Sequence, residues 1–313
     1  MKKYFLYFAL MGFMAFGAVS CSSDDDDSSS KTELPEAKYP GQAVQFSLST
    51  PLEAAQSGTQ SAALSAVNIT ESGKAIFEVA TDGSNKYVTT DVAINGDVYT
   101  VSGNATGTIT RVASKGTRAE SPAQLEVNVK FSKVAELGSL EFKTAENEYA
   151  PATAVTTSSA SNQATKKLTC TSWKMLGTVI DLEGDVSLFK QFDGGNLAEL
   201  RDEAIRQGAE LSDDEKAMFD KSIVSVDFDD TLLSINYSNG TSDVATWRWA
   251  NSSYDKINFT FKELDMGNKF IPSENCTADV AFKDNRLNLV IYAEISGNKN
   301  YKAKLTLRLQ AAN

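Results

Sequence analysis

The sequence predicts a mainly β protein made of two tandem antiparallel domains, the second an eight-stranded barrel with a small helical insertion. Three observations carry the prediction. Short segments that alternate apolar and polar residues recur from Val44 to Leu309, punctuated by turn pairs such as Asn-Gly and Asp-Asn. Helical spacing in the folded part is confined to residues 196–221. Residues 151–167 are small, polar and aperiodic, and read as a linker between a domain at 41–150 and one at 168–313. A chain of 313 residues suits two domains of ~100–200 residues each.

In the first domain, Val44-Gln45-Phe46-Ser47-Leu48 alternates as a half-buried strand does. Ala75 to Val79 follows the turn residues Glu71-Ser72-Gly73, and Tyr87 to Ile94 is rich in β-branched residues. Asn95-Gly96 joins that strand to Val98–Val101, because both positions tolerate the positive φ of a tight hairpin. Thr108 to Val112 and Leu125 to Phe131 alternate again, so the set makes a sandwich or a small barrel.

The second domain opens with a strand over Leu168 to Leu176. Asn196 caps a helix from Leu197 to Gln207 that Gly208 ends, and Ser212-Asp213-Asp214-Glu215 is a capping box for a second helix reaching Lys221. Leu197, Leu200, Ile205, Met218 and Phe219 give the pair apolar stripes, for packing on the sheet or closing a barrel end. Strands follow at Ile223–Phe228, Thr231–Tyr237, Val244–Trp249, Lys256–Phe261, Thr277–Phe282, Leu287–Ile295 and Tyr301–Leu309. With the opening strand they reach the ~8 at which an up-and-down barrel closes around side chains or one small ligand.

The N-terminus carries an address. Lys2 and Lys3 precede an uncharged apolar run, Tyr4 to Val19, shorter than the ~20 residues a membrane-spanning helix needs. Residues 1–20 therefore read as a signal peptide. Ala18-Val19-Ser20-Cys21 resembles a lipobox, the recognition site of bacterial lipoprotein processing. The resemblance implies cleavage before Cys21 and lipidation of its sulfur and new amine, several acyl chains being needed for durable attachment to a membrane. Residues 21–40 then form an acidic tether. Its Ser22-Ser23-Asp24-Asp25-Asp26-Asp27 is similar to the export signal of Bacteroidetes lipoproteins, which implies an outer-membrane protein exposed on the cell surface. A run of like charge also stays solvated, and the tether reaches roughly 20–25 Å.

Composition excludes more than it specifies. The chain contains no histidine, which removes Ser-His-Asp and Cys-His catalysis and histidine-ligated zinc. The formal charge of −11 opposes nucleic acid and anionic membrane as partners. No motif calls for a cofactor. Cys170 and Cys276 remain beyond Cys21, and in an oxidising compartment they form either one disulfide, worth at most about 4–5 kcal/mol, or two buried thiols.

From Leu168 to Asn313 the chain resembles the lipocalin-like modules of exported Bacteroidetes proteins. Thr171-Ser172-Trp173 stands where lipocalins carry Gly-x-Trp, and Ala245-Thr246-Trp247-Arg248-Trp249 with Ile257 to Phe261 looks like a central hairpin. The departures are threonine at 171 in place of glycine and an early helical pair. The resemblance implies a barrel with room for a ligand, Arg308 stacking across Trp173. Trp247 and Trp249 share a strand face, so they either fill the core or make a stacking platform for a sugar ring, with Arg248 and Tyr254 as neighbours. Asp227, Asp229 and Asp230 form the densest acidic cluster of the folded part. They read as a hairpin turn with Asp227 facing solvent, against calcium ligation or paired-carboxylate glycoside hydrolysis. The expectation is a non-enzymatic surface lipoprotein that binds or scaffolds, with a small apolar molecule or glycan as ligand at Trp173, Trp247, Trp249 and Arg308. The alternatives are an adhesive subunit without such a ligand and a carboxylate-dependent glycosidase.

Overall fold

The computed structural model describes residues 44–55, 62–81, 84–95, 98–112, 124–131, 140–144, 150, 152–156, 162–184, 191–195, 197–208, 213, 216, 220, 222–263, 276–295 and 301–312. The protein is mainly β, and its two tandem domains are closed eight-stranded antiparallel barrels. In the first barrel, β1 (Val44–Ala55), β2 (Ala62–Ile69), β3 (Lys74–Thr81), β4 (Ser84–Asn95), β5 (Val98–Ser102), β6 (Ala105–Val112), β7 (Gln124–Phe131) and β8 (Glu141–Lys143) pair in chain order. β8 closes the ring on β1 through only Phe142↔Ala54 and Glu141↔Ala55. β4 and β5 pair as the expected hairpin does, with Asn95 opposite Val98. Alternate residues point inward, so Phe46, Phe77, Val79, Tyr99, Ile109, Val127, Phe131 and Phe142 form one buried core.

The stretch read as a linker is largely folded. Ala152–Thr156 is β9, antiparallel to Val44–Leu48 on the side of β1 that β8 leaves open. Helix α1 (Gln163–Thr169) follows; the Asn162 carboxamide caps it by accepting from Thr165 N at 2.7 Å. This displaces the expected opening strand. Leu168 lies in α1, fully buried, and β10 (Trp173–Gly184) starts later and runs longer than expected.

The second barrel comprises β10, β12 (Ile223–Phe228), β13 (Leu232–Tyr237), β14 (Ser242–Trp249), β15 (Lys256–Glu263), β16 (Cys276–Lys283), β17 (Arg286–Ile295) and β18 (Tyr301–Ala311). β18 pairs with β10 along its length, whereas β12 meets β10 only at Trp173↔Val226 and Lys174↔Ser225. The freed edge of β10 takes β11 (Gln191–Gly194). The helical insertion contains α2 (Leu197–Arg206), ended by Gly208 at φ 88 as glycine permits. Leu200 and Ala204 form its buried stripe. The capping box at Ser212 lies outside the described residues.

Candidate functional site

The three tryptophans converge in the core of the second barrel. Trp173 and Trp247 are buried and Trp249 is half-buried against them; the rings of Trp247 and Trp249 meet edge to face at 5.5 Å. Each indole N–H finds an acceptor outside the strand ladders. Trp173 donates to Leu168 O at 2.9 Å, Trp249 to Thr165 Oγ1 at 2.7 Å, and Trp247 to Asp229 O at 2.8 Å. Two of these acceptors are on α1, so the helix closes the barrel end as a plug held by indole hydrogen bonds. Trp247 faces inward, as the core reading of the pair expects, and Trp249 on the same face is half-buried. Tyr254 packs edge-on against Trp249 at 5.6 Å, and Arg248 points out to solvent.

Arg308 does not stack across Trp173. Leu307 and Leu309 face the core, so strand alternation turns Arg308 to the outer wall, where it pairs with the Asp193 carboxylate. Cys170 and Cys276 are buried thiols, not a disulfide. The Cys170 sulfur turns to Lys167 O at 3.8 Å while Cys276 packs in the barrel core, and burial pushes both thiols up to about 11. Cys21 lies outside the described residues.

The acidic cluster divides in two. Asp229 is the turn residue expected: its carboxylate accepts from Thr231 N at 2.6 Å and from Leu232 N. It is nearly inaccessible, and burial raises it to about 6. Asp227 contradicts the expectation of a solvent-facing side chain, being 0% exposed. It lies on the outward face of β12, but the first barrel covers that face. Ser72 Oγ donates to its Oδ1 at 3.0 Å from the β2–β3 turn, and Ser225 Oγ and Asn236 Nδ2 donate to its Oδ2 at 3.2 and 2.6 Å. Burial raises its pKa, opposed by the nearby Lys74 charge and these hydroxyl groups.

Around Asp227 the two barrels share a buried polar seam. Thr89 and Ser234 hydroxyls meet at 2.9 Å, Thr169 Oγ1 donates to Glu71 Oε2 at 3.1 Å, and Asn104 Nδ2 donates to Gly240 O. Asn236 relays the network, its Oδ1 accepting from Ser234 and Ser242 hydroxyls at 3.0 and 2.9 Å. Ile76 on β3, with Leu232 and Val244, supplies an apolar patch beside it. Small hydroxyl and amide side chains fit this role, because each can satisfy its partner across a narrow gap at little entropic cost. A carboxylate with no exposed surface meets no substrate, so Asp227 works as a clamp. Among the described residues no cluster of potential ligands could hold a metal ion.

Against family models, curated proteins and solved structures, the chain has no match.

Proposed function

We propose that the protein is a lipid-anchored cell-surface module that binds or scaffolds without catalysis, presenting two barrels as one body through their outer walls. The buried seam carries this reading. Outward side chains of Ser72, Thr89, Asp227, Ser234 and Asn236 are all nearly inaccessible, so the barrels hold a fixed relation on the end of the tether. The burial of Trp173 and Trp247 in one core, with Trp249 edge-on to Trp247 and α1 accepting from Trp173 and Trp249, favours outer-wall recognition over a small apolar ligand at those residues. The anchor rests on the lipobox-like Ala18-Val19-Ser20-Cys21 and the aspartates behind it.

Whole cells producing the protein, treated with a membrane-impermeant amine reagent, test the placement. Wild type should be labelled and should fractionate with the outer membrane. Cys21→Ser should lose lipid labelling and leave that fraction. A wild-type protein that is never labelled on intact cells would overturn surface exposure. A discrete mass adduct from host lipid extracts in native mass spectrometry, abolished by Trp247→Phe, would restore an interior ligand site.

A further inference from the structure

The outer wall of the second barrel carries a feature that the sequence did not flag. In β10, Met175 pairs with Leu309 and Gly177 with Arg308, leaving Leu176 as the extra residue of a bulge. Such bulges re-aim a side chain. Here Leu176 is turned outward and left 45% exposed. Beside it lies a depression of about 330 Å³, walled by Lys283, Arg286, Asn288 and Arg308.

Its cations are arranged, not scattered. The Arg308 guanidinium lies over Gly177, where a Cβ would stand 2.7 Å from Nη2. Both its terminal nitrogens meet Asp193, Nη1 at 3.3 Å, which fixes the plane of the fork. Lys283 and Arg286 stand directly opposite each other across the β16–β17 hairpin. Like charges at facing positions repel. Among the described residues neither has an ion-pair partner, although Asp284 lies in the turn between them. An acidic chain of net charge −11 thus concentrates cations around one exposed leucine, at a cost in repulsion that a bound anion relieves.

We propose that this depression binds a phosphate group carried on an apolar body, the phosphate meeting Lys283, Arg286 and Arg308 and the body lying on Leu176. Arginine forks suit phosphate oxygens, and Asn288 offers a neutral donor beside them. The site stands independently of lipid attachment at Cys21.

The test uses the isotope-labelled mature chain carrying Cys21→Ser. It is titrated separately with inorganic phosphate, with dihexanoyl phosphatidic acid and with phosphatidic-acid vesicles. Backbone amides at Leu176, Gly177 and Asn288 should move with the short-chain lipid at roughly ten-fold lower concentration than with inorganic phosphate. The double variant Lys283→Gln/Arg286→Gln should bind roughly ten-fold more weakly or worse, with a melting temperature no lower than wild type. Co-sedimentation of wild type but not the variant with vesicles identifies a lipid headgroup as the source; short-chain binding without co-sedimentation identifies a soluble organophosphate. Shifts scattered over the surface, unchanged affinity in the double variant, or equal response to inorganic phosphate would overturn the proposal.

Discussion

The two barrels have the same ring size and are filled in different ways. The first packs phenylalanines edge to face, Phe77 on Phe131 at 5.4 Å and Phe131 on Phe142 at 5.0 Å, with aliphatic residues between. Apart from Tyr99, the side chains of this core have no polar atoms to satisfy. The second uses tryptophans, whose N–H groups need acceptors, and it recruits α1 and the Asp229 turn to supply them. Each barrel also adds a ninth strand as a third partner to its first strand, β9 on β1 and β11 on β10, and each has one short joint. In the first barrel the joint is β8 on β1, with Phe142 on one side of it; in the second it is β12 on β10, with Trp173 on one side. Ring closure thus rests on a large buried aromatic where the ladder is shortest.

That comparison can be broken at its strongest point. Trp173→Ala should cost about 3–5 kcal/mol, from lost burial and from the unpaired Leu168 carbonyl at the weak joint. Phe131→Ala in the first barrel should cost a similar amount. All three tryptophans of the chain lie in the second barrel, so their emission reports that barrel while circular dichroism reports both. For Phe131→Ala in urea, the two signals should shift together if the seam couples the barrels. An emission midpoint left at its wild-type value would show that the second barrel unfolds alone.

Much of this architecture was legible because β12 to β18 combine strict alternation with Asn and Asp turns, and β12 spans the very residues expected. The seam was not legible. Ser225-Val226-Asp227-Phe228 reads as one apolar face and one wet face, and alternation cannot say whether water or another barrel covers the polar side. A weaker signal was present in residue size. Outward positions of β13 are Leu232, Ser234 and Asn236, while β17 and β18 show Arg286 and Arg308 to solvent. Helix α1 was hidden by its length and its small residues, although Asn162 is a readable cap. β9 was hidden because Ala152-Thr153-Ala154-Val155-Thr156 lacks large apolar residues to mark a face.

Acidity weighs on the halves unequally, because the fully buried carboxylates Asp227 and Asp229 belong to the second barrel, while the first contributes the half-buried Glu71, also raised by burial. Asp229 titrates at about 6 when folded and near 3.8 when unfolded, so the folded state holds its proton more tightly. Its contribution is full below pH about 4 and is lost as pH rises through about 6, at most about 3 kcal/mol by pH 7. Asp227, raised by burial, acts in the same direction. Glu141 and Glu203, only partly covered, are shifted the opposite way by their ion-pair partners, and solvent screens those pairs. Urea midpoints should therefore be higher at pH 5 than at pH 7.5, and Asp229→Asn should flatten the difference. A wild-type midpoint that rises with pH would contradict the burial argument.

The smallest effect sharpens the comparison most, because it touches neither core. Ser72→Ala removes one hydroxyl from the first barrel and leaves Asp227 with donors from the second barrel, Ser172, Ser225 and Asn236. The expected cost is about 1 kcal/mol. Thr89→Ala should cost about as much through the lost contact with Ser234. If each hydroxyl only stabilised its own barrel, the Ser72→Ala and Asp227→Asn effects would add. A seam that transmits stability makes them non-additive, by about 0.5–1 kcal/mol in a double-mutant cycle followed by tryptophan emission. Since Ser72 lies in the barrel without tryptophan, any shift it causes in that emission has crossed the seam, and its size measures how far two differently filled barrels behave as one body.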